Sequence, residues 1–139
     1  MTPSAYDRYL EAEILSAEPV KLVGILYRAA IEAVAGARRH LLARDIQQRS
    51  RSITRASEIL NQLMLSLDHS AGGELSRNLV ELYAYMQTRL IDANTNQTDP
   101  PLAEVERLLG TLAEAWRTAT AAPAVSAAES SYVPVSCVL

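Results

Sequence analysis

The chain has 139 residues, 13 of them Lys or Arg and 16 Asp or Glu, for a formal charge of −3. That length supports one domain with a real core and excludes two ordinary ones. No run of Lys or Arg is long enough to track a phosphate backbone, so no nucleic acid partner is expected, and no stretch of about 18 apolar residues lacks a charge, so no membrane insertion is expected. Arg38, Arg39, Arg44, Arg49, Arg51 and Arg55 are interspersed with Asp45 and Glu58 and read as a solvated helical face.

The N-terminal "MTPSAYDRYLEAEIL" lacks the basic-then-apolar plan of a secretory signal, because Asp7, Glu11 and Glu13 interrupt it. Cys137 is the only cysteine, so no intrachain disulfide and no zinc cage can form, and a reducing cytoplasm fits. Phe is absent while Tyr occurs six times, so much of the aromatic surface carries a hydroxyl in need of water or a partner.

Four segments carry helical periodicity and none alternates as a strand would. The first runs from Ser16, as N-cap, to Ala43, with Pro19 in its first turn and a seam of Leu22, Leu26, Ala29, Ala33, Ala37 and Leu41. Its alanines predict close helix approach. The second opens at Asp45, paired with Gln48, and places Ile46, Ile53, Ala56, Leu60, Leu63 and Leu67 on one face. The third, from Glu74 to Ala93, repeats the rhythm with Leu75, Leu79, Leu82, Met86, Leu90 and Ala93. The fourth follows Asp99-Pro100-Pro101, a cap with prolines suited to a first turn, and carries Leu102, Val105, Leu109, Leu112, Trp116 and Ala119, with Trp116 expected as a core anchor.

Short links between long helices force antiparallel neighbours, so the predicted fold is all-α, an up-down-up-down four-helix bundle over residues 16–120. Residues 1–15 are expected to form a mobile N-terminal arm. Residues 121–139, rich in Ala, Ser, Val and Pro without period, read as a disordered tail.

The stretch "SLDHSAGGEL" at 66–75 gathers Asp68, His69 and Ser70, but consecutive side chains at a helix end do not converge, and Gly72 and Gly73 supply the φ freedom of a turn. It is predicted to be a turn and not an active site. The Glu-x-x-His pairs of di-iron bundles are missing, with His40 and His69 the only histidines, so neither metal nor cofactor is expected and no catalytic residue is proposed. Glu13, Glu32, Glu81, Glu104 and Glu114 read as scattered solvent-facing charges.

A second stripe lies outside the seams. On the third helix Val80, Ala84, Gln87 and Ile91 step by four, three and four, on what the spacing predicts to be nearly the opposite side from Leu75, Leu82 and Met86. On the second helix Ser50, Thr54, Ser57, Asn61 and Leu65 form a small, uncharged row, with Ile59 on the opposite flank, against which another helix could lie close.

From Ser66 to Asn94 the sequence "SLDHSAGGELSRNLVELYAYMQTRLIDAN" resembles the flagellin-specific export chaperone family, FliS, in its Ser-Leu-Asp, Gly-Gly-Glu, Asn-Leu, Leu-Tyr, Tyr-Met, Arg-Leu and Ala-Asn elements. The Ala-Tyr-x-x-Tyr start at Ala5, the Ala-x-Pro entry at Pro19 and Leu26-Tyr27 also agree, so the resemblance spans about Ala5 to Ala119. It departs at Arg28-Ala29, where the family commonly has an acid and a glycine, and at Ala84, where an acid often separates the two tyrosines. The resemblance implies a cytoplasmic chaperone that binds the disordered C-terminal segment of flagellin, prevents premature polymerisation and delivers it to the flagellar export apparatus. Stripe and resemblance together place the client against Ile59, Asn61, Leu65, Asn78, Val80, Tyr83, Ala84 and Ile91, with Tyr6 and Tyr9 on the movable arm. A monomer or weak homodimer is expected. The rival reading is a structural bundle that self-associates through the same stripe, without a chaperone role.

Overall fold

A computed structural model of the chain describes residues 5–16, 18–67 and 69–121, and these are helical throughout apart from short turns. Pro19 sets the first boundary of the bundle. A residue before proline is pushed out of the helical region, and Glu18 is extended at φ −69, ψ 155. The chain therefore forms a separate α1 over Ala5–Ser16, and α2 starts at Pro19, three residues later than the predicted Ser16 cap, and runs to Leu42. The arm region thus carries a helix that the periodicity had not revealed.

α3 spans Ile46–Leu65 and is capped as expected, Asp45 Oδ1 accepting from the Gln48 N–H at 3.1 Å. α4 spans His69–Asn96 and is broken at Gly73, whose φ of 53° and ψ of −125° no regular helix contains, so the glycine makes the predicted bend. Asp68 lies outside the described residues, as do the side chains of His69 and Ser70. α5 spans Pro100–Thr120. The expected cap at Asp99 is absent: its carboxylate instead receives both Arg38 Nε at 2.8 Å and Arg38 Nη2 at 2.9 Å, while Arg38 Nη1 reaches Glu106 at 2.7 Å. A bidentate charged partner outcompetes a single backbone N–H for the same oxygens.

The ends of α2 and α4 share one device. Arg44 and Gln97 take left-handed φ values of 60° and 53°. Beyond them Asp45 N–H bonds the His40 carbonyl at 2.9 Å and Thr98 N–H the Ala93 carbonyl at 3.3 Å, the six-to-one closure of a Schellman turn. Both turns are tight enough to fold the next helix straight back.

Register follows from pairs across the seams. Arg38 meets Asp99 while the Trp116 indole N–H donates to the Val20 carbonyl at 3.2 Å, so α2 and α5 are antiparallel. Ser50 meets Asn94 and Asn61 meets Gln87, so α3 and α4 are as well. With α2 also against α3 and α4 against α5, the four long helices close a ring. Glu104 joins α5 to α4, accepting from Tyr85 Oη and Arg89 Nε, both at 2.7 Å, which holds its carboxyl below the usual range. It is therefore a structural latch and not a free surface charge.

The core is filled by Ile25, Leu26, Ala29, Ala30, Val34 and Ala37 of α2, Leu60 and Leu63 of α3, Met86 and Leu90 of α4, and Leu102, Val105 and Leu109 of α5. The alanines let α2 approach its neighbours closely, as predicted. Three predicted seam residues are exposed at helix ends: Ile46 at 57% and Leu75 at 38%, each in a first turn, and Ala119 in the last turn of α5. Trp116 is only half-buried, packed at the rim where α2 begins. Tyr27 and Tyr83, from diagonally opposed helices, share a buried hydroxyl hydrogen bond of 2.6 Å through the centre.

Among its described side chains, α1 meets this ring through Leu10 and Asp7. Leu10 is 6% exposed within the core cluster, and Asp7 pairs with Arg55 of α3 at 3.1 Å.

Candidate functional site

The core of α4 runs along Leu79, Tyr83, Met86, Leu90 and Ala93. At 3.6 residues per turn, a row displaced by one residue lies about 100° around the helix. The stripe of Val80, Ala84, Gln87 and Ile91 is so displaced, and therefore flanks the core rather than opposing it. The same shift separates the α3 core, Ile53, Ala56, Leu60 and Leu63, from the row Ser50, Thr54, Ser57 and Asn61. Because α3 and α4 run antiparallel, the two displaced rows turn toward each other.

They meet in hydrogen bonds. Gln87 Nε2 donates to Asn61 Oδ1 at 2.9 Å and to the Ser57 carbonyl at 3.1 Å, and Ser50 Oγ donates to Asn94 Oδ1 at 3.2 Å. Arg49 completes the seam. It fills the position that the seven-residue step from Ile46 to Ile53 leaves apparently empty, is 4% exposed, and donates through Nε to Asn94 Oδ1 at 3.1 Å. Arg38, Arg49 and Arg55 thus all leave the expected solvated face to bind specific partners.

The outer side of this seam is a strip about 17 Å long from Val80 to Ile91, at 1.5 Å per residue. Its two ends carry exposed aliphatic side chains, Leu65 at 84% and Ile91 at 64% exposure. Asn61 and Ala84 are exposed between them and Val80 is half-buried, whereas Asn78, two residues before Val80 and so about 200° around the helix, is exposed on the other flank of α4, in line with Leu82 and Tyr85. At the Ile91 end the strip deepens to a groove of about 270 Å³ lined by Thr54, Ser57, Gln87 and Asn94.

Six of the eight residues expected to face a client are thus accessible at least in part. Ile59 and Tyr83 are inside, at 8% and 1% exposure. Ile59 follows by one turn the Arg55 that pairs with α1, and Tyr83 is held by Tyr27. Tyr6 and Tyr9 are 50% and 64% exposed on α1, where Leu10 is the buried one among the described side chains. The sequence reading missed Leu10, Arg49 and Asn94. The signal for Leu10 was its place within a helical stretch closed by Ala-x-Pro; that for Arg49 was its 3–4 spacing to Ile46 and Ile53.

Chemically the strip offers amides, hydroxyls and aliphatic groups. Among the described residues no three His, Cys, Asp or Glu side chains are grouped to hold a metal ion, and no helix is long and apolar enough to cross a membrane.

The family described as flagellar protein FliS matches residues 2–123. The chain belongs to the FliS family. FliS is a chaperone family and not a class of enzyme. The FliS chain is 38% identical over 109 residues to the flagellar secretion chaperone FliS of Salmonella typhimurium, covering 78% of this chain and 81% of that one. It is 32% identical over 117 residues to that of Escherichia coli, covering 84% and 86%. The flagellar secretion chaperone FliS of Bacillus subtilis is 27% identical over 114 residues, covering 82% and 84%. The FliS match takes in α1 and the whole helical ring.

Proposed function

We propose that this chain is a cytoplasmic chaperone of flagellar export that receives the C-terminal segment of flagellin along the α3/α4 strip, keeps it from polymerising, and hands it to the export apparatus. Family membership and relatives named flagellar secretion chaperones support the class of function. The observation that carries the site is the pair of exposed aliphatic residues, Leu65 and Ile91, at the two ends of a small-residue seam. Burying each stabilises a complex by about 1.5 to 3 kcal/mol. Ordering a client segment costs about 2 to 5 kcal/mol of the gross interaction, so two anchors alone roughly break even and a longer wrapped contact is required.

Asn61, Val80 and Ala84 extend that contact along α3 and α4, and a client that wraps past Val80 reaches Asn78 on the other flank of α4. Ile59, on the opposite flank of α3 beside Arg55, offers a second contact when α1 is lifted, with the arm bearing Tyr6 and Tyr9 as a movable cover. Tyr83 supports the strip from beneath. The free chaperone is a monomer or a weak homodimer.

The test is calorimetric titration of the chain with a flagellin C-terminal peptide, before and after Leu65→Glu with Ile91→Glu. Both sites are exposed, so circular dichroism should be unchanged while two unpartnered carboxylates buried in the complex abolish binding. A folded double variant that binds normally refutes the site. If the unmodified chain ignores the peptide but light scattering shows it associating with itself, and the double variant stops that, the strip is a self-association surface.

A further inference from the structure

On the side of the ring opposite the α3/α4 strip, a groove of about 520 Å³ runs between the first half of α2 and the second half of α5. Two glycines make it. A Cβ on Gly110 would meet nothing within 4 Å, and one on Gly24 would stand 3.5 Å from Trp116 Cδ1. Along this trough Val20 is 41% exposed and Trp116 is half-buried, its ring anchored at one edge by the bond to the Val20 carbonyl. Lys21 and Arg28 sit on the rim with Glu18 at its end, and among the described residues neither cation is in an ion pair, while Glu114 is taken by Arg117. The trough is therefore apolar at its base and basic along one lip.

Thr120, where α5 ends, also lines this groove, so the sequence that follows starts at its mouth. Residues 122–139 contain a single charged residue, Glu129, and end in "SSYVPVSCVL" with Tyr132, Val133, Val135, Val138 and Leu139. Extended chain covers about 3.3 Å per residue, so residues 121–129 span up to about 30 Å, and the groove wall from Glu18 to Ile31 is only about 20 Å at helical rise. Pro134 favours extension in itself and in Val133, the shape a shallow trough accepts. A tethered segment of this length has an effective concentration in the millimolar range, so weak apolar contacts suffice.

We propose that residues 130–139 of the same chain bind in the α2/α5 groove, covering the Trp116 ring with their apolar side chains, with Glu129 facing Lys21 and Arg28. The occupied face is the one remote from the α3/α4 strip. Occupancy of the two is therefore independent, and the proposal stands or falls without reference to flagellin.

Trp116 and Cys137 are the only tryptophan and the only cysteine, so the full-length chain reports on itself. A nitroxide on Cys137 should broaden the amide resonances of Gly24 and Gly110 and the Trp116 indole N–H, and spare Leu65 and Ile91. Gly110→Leu fills the trough where a side chain meets nothing, and should abolish that broadening while leaving the melting temperature no lower. Deletion of 122–139 should shift Trp116 emission to longer wavelength and increase its quenching by acrylamide, a readout that decides the matter even if Gly110→Leu does not fold. Absence of broadening in the single chain, or unchanged emission on deletion, overturns the proposal. So does broadening that appears equally when spin-labelled chain is mixed with isotope-labelled Cys137→Ser chain, since the occupant is then a second copy.

Discussion

The Tyr27–Tyr83 pair permits a clean measurement of what buried hydroxyls contribute here. Both side chains are under 5% exposed and their oxygens are 2.6 Å apart, so each hydroxyl depends on the other. Tyr27→Phe leaves the Tyr83 hydroxyl in the core without that partner, a loss of about 1 to 3 kcal/mol, and Tyr83→Phe does the same in reverse. Changing both to Phe removes the pair together, which is close to neutral when shape is kept. The expected cycle in urea denaturation followed by circular dichroism is two destabilised single variants and a double variant near the parent, a coupling of about 2 to 6 kcal/mol. Raising pH adds an independent check. Burial pushes both phenols above their ordinary value, Tyr83 further because it also faces Tyr27, so the native state keeps protons that the unfolded state gives up near pH 10. Stability from this source is complete below about pH 10 and is lost as pH rises above it, by about 1.4 kcal/mol per pH unit per phenol, a slope the double Phe variant should lack. Additive losses in the double variant would refute the reasoning, because they would mean that each hydroxyl is satisfied separately.

Two further outcomes follow from the fold. Deleting residues 1–12 removes Leu10 from the core and Asp7 from Arg55, so thermal melting should report a loss of about 2 kcal/mol with the four long helices retained, while client affinity rises if α1 is the cover. Arg44→Gly and Gln97→Gly relieve left-handed backbone at φ 60° and 53° and should each raise stability by about 1 kcal/mol, whereas Gly73→Val imposes the opposite strain and should lower it.

The four seams were legible because aliphatic residues at three- and four-residue steps have one solution, a shared interior. The sequence was silent where a polar group occupies an interior place. Arg49 broke the α3 pattern to the eye yet keeps it in space, since Asn94 supplies its acceptor inside the seam. Tyr83 was absent from the predicted α4 seam, and with Leu75 and Leu82 as the reference the stripe of Val80 and Ile91 was rotated too far from the core. Arg38 and Asp99 were each given a local role, a surface charge and a helix cap, because a contact across 61 residues has no short-range signature. Trp116 was placed too deep for a different reason: α2 begins at Pro19, so no helix continues past it to enclose the indole.

The outer seam between α3 and α4 is closed by the amides of Gln87, Asn61 and Asn94, the Ser50 hydroxyl, the Ser57 carbonyl and Arg49, and not by interlocking aliphatic side chains. Parting it would expose groups that water hydrates readily, with little of the heat-capacity increase or denaturant sensitivity that accompanies apolar exposure. Amide hydrogens along that edge should accordingly exchange through openings that hardly depend on urea, while those facing α2 exchange only through global unfolding. The bundle thus has one edge that yields to competing hydrogen-bond donors and one that yields only to denaturation.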